Sequence, residues 1–173
     1  RALLSFRQDR YAVAPATLAL AEQAVAACTE GPGLPELPMV QFLHGFVLLF
    51  HDSIEAAEAE LIKAFEQAHR AGDTAQQARC LTYVALATRR RGAVRETAEH
   101  AATCRQVAES SNMREYLAAA WANEAWVALQ RGAPAAARHG AEQAWETWRA
   151  LSAVFPFCWM ALLPLLVVEL GAG

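Results

Sequence analysis

His100 and Cys104 stand four residues apart, the spacing at which two side chains on one helix face can share a metal ion. Two ligands are too few for a structural zinc site, and His44, His51, His69 and His139 are scattered along the chain. Glu55, Glu58 and Glu60 offer carboxylates for acid–base work, but acids early in a helix are the ordinary complement of its dipole. No phosphate-binding loop, nucleophile elbow or H-E-x-x-H pair occurs. The sequence therefore predicts a protein that is not an enzyme and holds no metal or cofactor. One basic cluster remains. Arg89-Arg90-Arg91 precedes Gly92 and could hold phosphates. As the last turn of a helix, arginines also complement the negative end of the dipole, and glycine then takes the left-handed stop conformation. Arg131-Gly132 repeats that pattern with one arginine, so the cluster reads as helix punctuation.

The elements that carry these residues follow from composition. The chain has 173 residues, a net charge of -3 and a pI near 6.0, which argues against direct contact with nucleic acid. Alanine supplies much of the 55% hydrophobic content and favours closely packed helices, while β-branched alternation is nearly absent. The expected class is all-α. Cys28, Cys80, Cys104 and Cys158 form no C-x-x-C pair, which fits a reduced, cytoplasmic protein. The apolar segment 153–170 is interrupted by Pro156 and Pro164 and carries Glu169, so it reads as a packed helix and not a membrane span. The start at Arg1 and the stop at Gly173 just after that segment suggest a piece of a longer chain.

A period of forty residues organises the whole. Arg91-Gly92 and Arg131-Gly132 are forty apart, and His51-Asp52, another helix-stop and turn pair, stands forty before the first. Small residues keep the register: Gly45, Ala85 and Ala125; Ala57, Thr97 and Ala137; Ala64, Cys104 and Ala144; with Thr17, Ala21 and Ala24 one period earlier. Each unit reads as two antiparallel helices. First helices are expected at 1–10, 37–50, 75–91, 113–131 and 156–170, and second helices at 14–29, 53–70, 94–110 and 134–151. Asp52 with Glu55, Thr74 with Gln77 and Asn112 with Glu115 have capping-box spacing, and Pro15 and Pro134 suit first turns. The expected organisation is one domain, 1–173, with units 1–35, 36–73, 74–112, 113–155 and a partial 156–173. The apolar last helix has no partner helix after it, which predicts an open apolar side and self-association.

The small residues resemble the tetratricopeptide repeat. Gly45, Ala85 and Ala125 match its small eighth position, Ala57 and Ala137, with Thr97 slightly larger, its twentieth, and Ala64, Cys104 and Ala144 its twenty-seventh. Leu81 and Trp121 match its large fourth residue, where Gln41 departs, and the period exceeds the standard 34. Longer units of this kind are similar to the repeat regions of bacterial signal-transduction ATPases, such as the maltose-regulon activator family and ATPase-linked cyclases and kinases. The resemblance implies a right-handed α-solenoid whose concave face holds a protein, peptide or small effector. It places Met39, Phe42, Phe46, Arg79, Tyr83, Leu86, Arg90, Asn123, Trp126 and Gln130 on that face. The alternative is a spacer and self-association region between an ATPase core and an output domain. An aromatic stripe at helical spacing also serves as core. Exposure decides between a groove and a packed interior.

Overall fold

The computed structural model describes residues 13–30, 36–151 and 158–171. The expected helix over 1–10 lies outside them. Among the described residues there are eight helices and no strand: α1 (Pro15–Thr29), α2 (Leu37–Phe50), α3 (Ile54–Ala71), α4 (Thr74–Arg90), α5 (Val94–Ser110), α6 (Arg114–Gln130), α7 (Pro134–Arg149) and α8 (Trp159–Gly171). None of them is long and apolar enough to cross a membrane. The chain forms two compact units, 1–87 and 88–173, and the division falls inside α4.

One backbone device ends five helices. Asp52, Gly72, Gly92, Asn112 and Gly132 all have positive φ, between 53° and 71°, at every twentieth residue. In each case the next residue donates its N–H to a carbonyl five positions back, as in Ser53 to Leu48 at 3.0 Å and Met113 to Ala108 at 2.8 Å. This is the Schellman stop, which satisfies carbonyls left over at a helix end. Glycine adopts it without a Cβ penalty, and Asp and Asn are the side chains that best tolerate it. The sequence reading took His51-Asp52 as a helix stop and turn, but it also gave Asp52, like Asn112, a capping role in the helix that follows. Both instead close the helices before them, and Ser53 and Met113 take the N-cap positions with no side-chain cap. At α4 the cap is Asp73, whose carboxylate accepts the Gln76 N–H at 2.9 Å, while Thr74 is already helical.

Packing within each unit uses the small residues. In the first unit α2 lies against α1 and α3, and a Cβ on Gly45 would sit 2.7 Å from Leu61 Cγ. In the second, α6 lies against α5 and α7, and a Cβ on Gly140 would sit 3.4 Å from that of Ala125. Ala57, Ala64, Thr97, Cys104, Ala137 and Ala144 are buried, as are Thr17 and Ala21. Ala24 is half-buried. The forty-residue register is therefore a register of close helix approach. Thr97 occupies one such position because its hydroxyl bonds Thr88 Oγ1 and the Ala93 carbonyl.

Candidate functional site

In the first unit the aromatic stripe closes on itself. Tyr83 of α4 stands edge-on to both Phe42 and Phe46 of α2, with ring centroids 5.4 and 5.0 Å away. Phe46 continues to Phe50 at 4.8 Å. Phe42, Phe46, Tyr83 and Leu86 are buried, so these four expected lining residues fill core. Met39 is exposed, and Arg79 is half-buried. The Arg79 guanidinium lies 5.8 Å from the Phe42 ring centre and donates to Gln76 Oε1 at 3.1 Å and to Met39 Sδ at 3.7 Å. Gln76 Nε2 in turn donates to the Pro38 carbonyl. Arg79 is thus held over an aromatic ring in one orientation, with little rotamer freedom left to lose on contact.

In the second unit Arg90 and Gln130 are exposed, Trp126 is half-buried and Asn123 is fully buried. Asn123 donates to the Ala119 carbonyl, and its Oδ1 has no partner. Trp126 carries a guanidinium over its ring at 5.6 Å, and that group belongs to Arg89. Arg89 is only 8% exposed, and among the described residues no carboxylate pairs with it. Burial pushes its pKa down to about 10, which still leaves it charged near neutrality. Its Nη1 donates to the Met160 carbonyl at 3.3 Å. Pro164 lies four residues after Met160 inside α8 and has no N–H to offer that carbonyl. Arg89 replaces the donor that the proline removed. Of the arginine triplet, Arg90 and Arg91 are exposed at the helix end as expected, while Arg89 is corrected to an interior tether. Pro164 was the sequence signal for a needy carbonyl at Met160, but nothing local pointed to a donor seventy-one residues away.

A polar network lies between α2 and α3. Gln41 Nε2 donates to Glu60 Oε2 at 2.5 Å, His44 Nδ1 is 3.2 Å from the same oxygen, and Lys63 Nζ donates to Oε1 at 2.7 Å. Burial raises the Glu60 pKa, but the hydrogen bonds from Lys63, Gln41 and His44 and the Lys63 charge outweigh it. The net shift is downward. This carboxylate, read from sequence as a dipole complement, is instead a crosslink between two helices.

Both units are therefore antiparallel helices ended by one repeated stop, which makes the protein an all-α helical repeat. Among solved structures 26 chains are similar to it. One, the crystal structure of the apo form of RapI, superposes with a TM-score of 0.82 over 99% of this chain at 15% identity. The match covers 61% of the RapI chain, less than two thirds of its length. No family model and no curated protein matches the sequence.

Proposed function

We propose that this chain is a binding module, a scaffold or sensor region of a bacterial signalling or transcriptional regulatory protein working in the cytoplasm, and not an enzyme. The observation that carries this reading is the rim of the first unit, where Arg79 is oriented over Phe42 beside the exposed Met39. A fixed arginine next to a flexible thioether on a rigid aromatic floor is a recurrent composition of protein contact surfaces. Trp126, Arg90 and Gln130 supply an accessible counterpart in the second unit. Cys80 is fully buried, and burial pushes its pKa up to about 12, which suits packing and not nucleophilic chemistry. Selection of displayed peptides on the immobilised chain tests the reading. The expected result is enriched sequences whose binding is lost in Arg79→Glu or Trp126→Ala. Peptides that bind both variants as well as the parent contradict it.

A second reading, a spacer that self-associates, is favoured by α8. Met160, Ala161, Pro164 and Val168 are buried, and the helix lies against α6 and α7. Leu162, Leu163, Leu166 and Val167 stay exposed, and Leu170 is 74% exposed. Sedimentation at micromolar concentration distinguishes the two. A dimer that Leu166→Glu disperses supports the spacer reading, and a monomer at all concentrations removes it.

A further inference from the structure

An open groove of about 510 Å³ runs across α6 between α5 and α7. Its floor is Trp121 with Ala125 and Ala128. Arg105, Glu109 and Glu124 stand along one side, and Ala136, Gly140 and Gln143 along the other. The sequence reading gave Trp121 to the core, but its ring is only half-buried, because Gly140 and Ala136 leave the space beside it unfilled.

The same repeat positions are occupied in the first unit, two periods earlier. Gln41 stands where Trp121 does, His44 for Glu124, Glu60 for Gly140 and Lys63 for Gln143. The equivalence is geometric as well as sequential. Gln41 meets Glu60 in the α2–α3 pair, and the Trp121 carbonyl lies 3.4 Å from the place of a Gly140 Cβ in the α6–α7 pair. In the first unit, then, the chain inserts its own carboxylate and surrounds it with donors. In the second the carboxylate is deleted to glycine, and the wall is inverted to an indole and a glutamate.

The inverted wall suits a cation. Arg105 already shows that the place accepts one: its Nε donates to Glu124 at 3.0 Å, and its Nη1 lies 3.8 Å from Glu109. Two carboxylates, Glu109 and Glu124, face one resident guanidinium, so the acids outnumber the arginine in the groove. An aromatic floor beside a carboxylate is a recurrent solution for holding an organic cation. The volume falls in the range of small-molecule sites, roughly 300–1,000 Å³.

We propose that this groove binds a small organic cation, a primary ammonium or guanidinium on a short aliphatic arm, stacked on Trp121 and paired with Glu124. The arm would lie over Ala125 and Ala128, where no polar side chain competes for it. The same chemistry is carried by a free amine and by a lysine or arginine side chain of a partner protein.

Calorimetric titration with agmatine and cadaverine, and in parallel with an acetylated lysine-containing tripeptide, tests this. At least one probe should bind with a Kd of about 0.1–1 mM, weakening as salt is raised. Glu124→Gln should weaken that binding by about tenfold or more. Ala136→Phe, at an exposed position that need not disturb the fold, should fill the groove and abolish it. Circular dichroism confirms that each variant is folded. Binding of the free amines assigns the site to a small molecule, and binding of the tripeptide alone assigns it to a partner's side chain. Either supports the proposal. No binding of any probe up to about 10 mM, or binding that neither variant weakens, overturns it.

Discussion

Two arginines lie over aromatic rings in this protein, and they do different things. Arg79 sits over Phe42 in the first unit, half-buried, bonded to Gln76 and in contact with the exposed Met39. Arg89 sits over Trp126 in the second, buried, and supplies a hydrogen bond to a helix carbonyl that Pro164 leaves open. The ring contact is the same at about 5.7 Å, so geometry of the pair alone does not assign a role. What differs is the second partner. A half-buried guanidinium that reaches an exposed methionine belongs to a surface, and a buried one whose other bond satisfies an interior carbonyl belongs to the framework.

The largest expected effect comes from breaking the interior pair. Arg89→Ala leaves the Met160 carbonyl unsatisfied and removes a desolvated ring contact, together about 2–3 kcal/mol in denaturant melts. In a Pro164→Ala background the carbonyl regains a helix donor, so the cost of Arg89→Ala should fall by about 1 kcal/mol in a double-mutant cycle. Full additivity of the two changes would separate Arg89 from the proline. Next comes the close helix approach that both units share. Ala125→Leu pushes bulk toward Gly140 and should cost about 1–3 kcal/mol by overpacking. A neutral result would mean that the forty-residue register does not mark contact positions.

How much of this was legible depended on whether the deciding partner was near in sequence. The helices and their pairing were legible, because small residues at a fixed period and Arg-Gly stops are local patterns. Asp52 and the half-period stop Asn112 were also given N-cap roles in the helices that follow, since Asp and Asn favour both N-caps and left-handed turns. Phe42, Phe46 and Tyr83 have the spacing of a lined face, yet their rings meet each other across α2 and α4 and leave only the rim accessible. Arg89 could not be told from Arg90 and Arg91, because its burial is decided by α8, far along the chain. Glu60 looked like an early-helix acid because its donors Gln41 and His44 lie on the preceding helix.

Glu60 yields a smaller effect with a definite pH dependence. Its folded pKa lies below the ordinary 4.5, so it contributes stability above that value and loses the contribution as pH falls through the folded pKa. Glu60→Gln should cost about 1 kcal/mol at neutral pH and flatten the acid side of the stability profile. A variant whose acid loss matches the parent's would remove Glu60 from the account. The smallest effect is expected at the exposed helix end, where Arg90→Ala should change stability by less than about 0.5 kcal/mol.

The division between a surface arginine and a framework arginine is tested most directly by unfolding Arg79→Ala and Arg89→Ala side by side in urea. Arg79→Ala should lose less than about 1 kcal/mol, and Arg89→Ala at least twice as much, with unchanged m-values. Equal losses, or a greater loss at Arg79, would contradict it.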